Sequence, residues 1–384
     1  MTMRRTLAVL AALLAFAGCS KDKEVAPPAE LVDIETTLRV RQLWSTGLGG
    51  GAEDLRLALG LAGDAETVYA ASRDGDLRAL DAGNGRTRWR TKVDLALASG
   101  PGFGSGKVAV GTNEGDVVAF EAATGKRLWR AKVGGEVLAT PLVTADRVVV
   151  RTVDGRLRSL AAQDGKEQWV IEELVPRLSL RGTSAPVLAG GSVICGFDNG
   201  KVIAVAIESG EILWQSQVST ARGRSELERL SDVDSEVRVS GADVYAVGYQ
   251  GRAAMLGLDN GQVWWARDLS SYRGLAIDDD QVYVATSDGD VVALRRRDGS
   301  VVWQQEALKR RGLGTPAVFG NTVVVGDYDG YLHWLDRGTG KFVAREHPGG
   351  ARISAAPLVT GGRIVVMDEN GKVVAYRSGD AAGS

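Results

Sequence analysis

One spacing recurs along this chain and limits what it can fold into. A tight-turn glycine stands at Gly75, Gly115, Gly155, Gly200, Gly251, Gly289, Gly330 and Gly371, each preceded by Asp, Glu, Asn or Gln. Ten residues later a second glycine follows in seven copies, at Gly85, Gly125, Gly165, Gly210, Gly261, Gly299 and Gly340. Four residues beyond that stands a tryptophan in six of them: Trp89, Trp129, Trp169, Trp214, Trp265 and Trp303, with Ala344 in the seventh. A period near 40 residues marks a repeat architecture. Within each copy a β-branched run such as "TVYAAS" or "QVYVATS" precedes the first glycine, and an alternating run such as "DLRALD" or "DVVALR" follows it. Asp-Gly and Asn-Gly supply the left-handed backbone that a hairpin needs, so these runs pair as antiparallel strands. The second glycine turns the chain into an outer strand bearing the tryptophan, and segments such as "TPLV", "SAPVL" and "AAPLV" open the next copy.

Four antiparallel strands in about 40 residues, repeated, describe a β-propeller. The numbering also predicts how the ring closes. After Gly371 the expected tryptophan would fall just beyond the last residue, whereas Trp44 in "RVRQLWSTG" has no turn glycine before it. The expected fold is therefore all-β: an eight-bladed propeller whose last blade takes its outer strand from the N-terminus. Such closure leaves no free edge at the seam. The tryptophans are read as packing between neighbouring blades. With 50 Gly among 384 residues and only 9 Pro, the composition suits many short strands and tight turns.

The segments outside the repeat read differently. Residues 1–18 have the form of a secretory signal, with Arg4 and Arg5 before the apolar Leu7–Ala17 and small residues before Cys19. The "FAGCS" stretch resembles a bacterial lipobox, which implies that Cys19 carries lipid; Ser20 in place of Asp implies the outer membrane. Residues 19–38 are expected to be a lipidated cysteine and flexible tether, 39–378 the propeller, and 379–384 a short tail. The other cysteine, Cys195 in "SVICGF", then has no intramolecular partner and reads as a buried small hydrophobe.

Signs of catalysis are missing. There are two histidines, His333 and His347, no Cys/His cluster with metal-ligand spacing and no phosphate loop. "SDVDSE" at 231–236 lacks the central glycine and distal glutamate of a calcium loop. A net charge of −2 implies no general nucleic-acid surface. No enzyme activity, cofactor or metal is expected.

The repeat is interrupted twice. Gly155 to Gly200 spans 45 residues and Gly200 to Gly251 spans 51, the extra length falling after Trp169 and after Trp214. Both stretches connect an outer strand to the next blade, on one face of the ring, where insertions often build a binding surface. The first, "EELVPRLSLRGTSAP", places Leu178 and Leu180 in alternation ahead of Arg181; the second, "STARGRSELERLSDVDSEV", carries Asp232 and Asp234, spaced to point the same way if extended. Apolar anchors beside an Arg and carboxylates suit a protein interface. Equally, the leucines could begin a core strand and the carboxylates cap a turn.

"LSLRGTSAP", "SELERLSDVDSEV" and "VVVGDYDGYLHWLDRGTGKFVA" (323–344), with the lipobox, resemble the outer-membrane protein assembly factor B family, whose repeats are of the quinoprotein type. The resemblance implies a non-enzymatic lipoprotein scaffold on the periplasmic face of the outer membrane. It implies binding to the periplasmic domains of the central subunit of the β-barrel assembly machinery through Leu178, Leu180, Arg181, Asp232 and Asp234, and help with insertion of unfolded outer-membrane proteins. Two alternatives stand beside it. One is a quinone-cofactor dehydrogenase, a class in which many members carry an adjacent cysteine pair that is missing here. The other is a lipoprotein propeller serving another envelope ligand.

Overall fold

The computed structural model describes residues 26–52, 57, 59–180, 184–219 and 232–379. The described strands form eight four-stranded antiparallel sheets. Blades one to seven each run in chain order from innermost to outermost strand, over residues 62–92, 102–132, 142–172, 187–217, 238–268, 275–305 and 317–346. Blade eight orders its strands Val40–Gly47, Lys372–Ser378, Arg363–Met367, Leu358–Thr360, so the N-terminal strand is its outer edge, as the spare Trp44 predicts. Val40 pairs with Ser378 and Gly47 with Lys372, which ties the two ends of the chain together.

The sequence pattern follows from position within the blade. Second strands such as Thr67–Ala71 and Lys107–Gly111 have neighbouring blades on both faces, so they read as nearly unbroken apolar runs and are buried throughout or nearly so. Outer strands such as Arg127–Lys132 are exposed except for the tryptophan and a half-buried residue. A register shift recurs in every blade beside the outer-strand tryptophan, or beside Ala344 in blade seven, for example between Ala79 and Leu80 opposite Trp89, and bends the outer strand away from its partner.

The Gly-Trp spacing joins one blade to the next. The indole Nε1 of Trp44, Trp89, Trp129, Trp169, Trp214, Trp265 and Trp303 donates to a backbone carbonyl of the following blade (Ala82, Ala122, Ala162, Ile207, Leu258, Arg296 and Arg337) at 2.7–3.0 Å. The second glycine of that following blade lies flat against the ring. A Cβ at Gly125, for instance, would overlap the six-membered ring of Trp89, and its φ of +70° is left-handed as well. The two residues recur together because blades one to six each supply half of two such latches, the glycine to one and the tryptophan to the next.

Blade seven, with Ala344, keeps the volume by exchange across a strand pair. Elsewhere the residue opposite the tryptophan is mostly small (Ala79, Ala119, Ser159, Ala204, Ala293). Opposite Ala344 stands Trp334, which is fully buried and meets Tyr376 of blade eight edge to face at 5.7 Å. One turn glycine also departs from expectation. In blade five the positive φ belongs to Gln250 (+46°), and Gly251 is needed because a Cβ there would overlap the Ser219 hydroxyl.

The two faces of the ring differ. Val93 N bonds Gly75 O, Val133 N bonds Gly115 O and Glu173 N bonds Gly155 O, so the first-glycine turns and the blade-to-blade connections share one face, hereafter the connection face. The opposite face carries the second-glycine hairpins. The stretch expected to be a tether also differs from expectation: residues 27–38 lie against blades six and seven through backbone hydrogen bonds such as Ala29 N to Lys309 O and Leu38 N to Val343 O.

Candidate functional site

The two long connections meet on the connection face at blades three, four and five. Neither leucine of the first enters a core strand. Leu178 and Leu180 are each 40% exposed, and Leu174 in the same stretch is 87% exposed. What holds them out is polar. The Leu180 amide donates to Asp232 Oδ2 at 2.6 Å, so the second connection grips the first. Ser184 adds a second stitch: its hydroxyl donates to Ser235 O at 3.0 Å and accepts from Gly196 N at 3.1 Å. The second connection is itself fixed to the turns of its flanking blades, with Val233 N on Phe197 O and Tyr249 N on Asp232 O.

Asp232 and Asp234 do face the same way, as their spacing predicts, but inward. Both are buried, and their carboxylates converge with that of Asp198, ligand atoms all within 4.8 Å of one another. Three carboxylates so placed could hold a metal ion. Here a guanidinium already supplies the cation: Arg151, fully buried at the end of the second strand of blade three, reaches across the blade boundary to Asp198 at 2.5 Å. Its plane also lies over the Phe197 ring at 5.1 Å. Burial, and then the Asp198 charge, push the Asp234 carboxyl well above the usual range, while Arg151 pulls it back. Cys195 lies in the same buried layer; burial raises its thiol to about 11, which makes it an inert packing residue.

The structure therefore brings Leu178, Leu180, Asp232 and Asp234 into one unit, with the leucines as its surface and the carboxylates as its base. Arg181 lies outside the described residues. Of the other four expected partner-binding residues, Leu178 and Leu180 are exposed, whereas Asp232 and Asp234 are buried beneath them. Sequence reasoning missed Arg151 and Asp198. Arg151 has a legible signal, because at its register the other blades carry Ala71, Gly111, Gly196, Val247, Ala285, Gly326 and Met367. A lone charge in that row calls for a buried counter-ion. Asp198 has no such signal, since it sits in a turn where polar residues are ordinary.

The ring encloses a central channel of about 660 Å³, opening beside this unit and lined in part by Leu180, Asp234, Glu136, Arg73 and Arg273. Its wall is built from the innermost strands and the connections, with no cluster of histidines or thiols among the described residues.

These features define a class: a closed eight-bladed propeller whose repeats are structural and whose one interrupted face presents apolar side chains on a buried ionic base. The profile of a family described as "Outer membrane protein assembly factor BamB" matches residues 41–97, 73–305 and 287–382. A Pseudomonas aeruginosa protein of that name is 48% identical over 96% of this chain and 97% of its own length. The crystal structure of BamB from Moraxella catarrhalis superposes with a TM-score of 0.81 at 28% identity, covering 88% of this chain and all of that one (100%). The chain belongs to the BamB family. A quinohemoprotein alcohol dehydrogenase from Comamonas testosteroni shares the fold alone, with a TM-score of 0.71 at 14% identity over 88% of this chain and 76% of its own.

Proposed function

We propose that this chain docks the periplasmic domains of the central subunit of the β-barrel assembly machinery through the connection face at blades three to five, and that Cys19 carries the lipid that anchors it to the periplasmic face of the outer membrane. As a BamB-family member it is an outer-membrane protein assembly factor, a scaffold and not an enzyme. The observation that carries the docking reading is the exposed Leu178–Leu180 stretch held in place by Asp232. Apolar side chains on a pre-organised loop lose little freedom on binding, which is what an interface anchor requires. Arg181 follows directly in sequence and adds a positive charge to the stretch. Asp232 and Asp234 contribute by keeping the loop in its binding shape, and unfolded outer-membrane proteins are further candidate clients.

Charge reversal at Arg181 tests the reading. In full-length protein purified from detergent-solubilised membranes, Arg181→Glu is expected to lower recovery of the central subunit about tenfold, equivalent to ~1.4 kcal/mol, at unchanged thermal stability. Undiminished recovery would remove Arg181 from the interface.

A further inference from the structure

We infer that residues 27–38 form an orienting strap, which turns the connection face of the propeller towards the membrane-anchored end of the chain. The orientation rests on the reading of Cys19 as the lipid-bearing residue; the strap itself does not.

The strap can be followed bond by bond. On the connection face, Arg310 Nε donates to Pro27 O at 2.7 Å, Arg311 Nη1 to Ala29 O at 3.1 Å, and Ala29 N to Lys309 O at 2.9 Å. Midway, Arg345 Nη1 donates to Val32 O at 2.9 Å. Near the opposite face, the amides of Thr37 and Leu38 both bond Val343 O at 3.0 Å. The chain then reverses into the Val40–Gly47 strand that closes blade eight. Leu31 packs against the cluster containing Trp303, Leu308 and Leu313, and Leu38 against Trp334 and Tyr376.

The arginines that grip the strap are themselves held from within blade seven. Arg311 is buried, with Nε on Asp327 at 2.7 Å and Nη2 on Asp329 at 2.8 Å, which leaves Nη1 aimed at the strap. Arg345 Nε donates to His333 Nδ1 at 3.2 Å, and His333 Nε2 meets Asp327 at 3.1 Å. A guanidinium fixed on two sides offers its remaining N–H at little further entropic cost. Such geometry belongs to a built seat for a backbone segment.

The consequence is a change in reach. Were the propeller free up to Val40, the chain from Cys19 would extend up to about 75 Å from the hairpin face and impose no orientation. With Pro27 seated, eight residues remain, at most about 29 Å, and they leave from the connection face. The face that bears Leu178 and Leu180 is thus the one kept close to the bilayer.

Two measurements test this on the full chain. Amide exchange at Ala29, Thr37 and Leu38 is expected to be slowed at least about tenfold relative to a Leu31→Asp/Arg310→Ala variant whose blades stay protected. Equal exchange in the two proteins would overturn the strap. For orientation, fluorophores are placed on one blade at the exposed positions Glu306 (connection face) or Arg297 (hairpin face) through cysteine substitution. The lipidated proteins are reconstituted in phosphatidylethanolamine/phosphatidylglycerol vesicles carrying a headgroup acceptor. Transfer from position 306 should exceed that from 297 several-fold, and the difference should collapse in the strap variant. Equal transfer, or a difference that survives strap release, would overturn the orientation. A chain that fails to float with vesicles and matches Cys19→Ser would overturn the anchor reading, leaving the exchange result to decide the strap alone.

Discussion

Replacing Trp265 by alanine is expected to cost about 3–5 kcal/mol of folding stability, while the same change at its neighbour Trp264 shifts stability by no more than about 0.5 kcal/mol. The two residues are adjacent and chemically identical, yet Trp265 is 9% exposed and Trp264 is 57% exposed. Trp265 Nε1 donates to Arg296 O of blade six at 2.7 Å and its ring covers Gly299. Removing it opens a cavity at a blade boundary and leaves a carbonyl without its donor, so the transfer and cavity contributions add. The register shift between Met255 and Leu256 turns Trp264 outward. Urea unfolding of both variants measures the contrast. Equal, small effects would mean that the latches do not hold the ring.

Arg151→Ala should be comparably severe, at about 3–5 kcal/mol, because it strips a buried carboxylate of its cation. Asp198 would remain 2% exposed beside Asp232 and Asp234. The pH dependence identifies the cause. Asp234 already has a folded pKa raised above its unfolded value, by burial first and then by the Asp198 charge. A group raised in this way binds more protons folded than unfolded, so the stability it contributes is present below the unfolded pKa and is lost as pH rises through the folded one. Without Arg151, whose charge pulls it back, the Asp234 carboxyl is raised further. The variant should therefore lose most at pH 8 and recover part of its deficit as pH falls towards 5. A deficit constant with pH would point to lost packing on Phe197 instead.

Most of the ring is legible in the sequence because its period fixes both the strands and the seam. The spare Trp44 alone predicts the closing strand. The place of Ala344 is harder: its explanation is Trp334, one strand away, and only the cross-strand pairing brings the two together. The candidate docking unit is half legible. Two overlong intervals locate it, and alternation places Leu178 with Leu180 and Asp232 with Asp234. That the carboxylates turn inward depends on Arg151 and Asp198, contributed by different blades. The strap leaves almost no sequence trace, since Pro27, Ala29 and Val32 are held through their carbonyls and any residue has one.

The interrupted face, and not the regular blades, is the surface proposed to engage the partner. The most direct test is titration of the purified full-length chain with the purified periplasmic domains of the central subunit, comparing Leu178→Asp/Leu180→Asp with Leu213→Asp, a somewhat more exposed leucine on the outer strand of blade four. The double variant should weaken binding by at least about 30-fold, ~2 kcal/mol, with Leu213→Asp unchanged and all three proteins equally stable. Unaltered affinity in the double variant, or an equal loss at Leu213, would mean that the partner docks elsewhere on the ring.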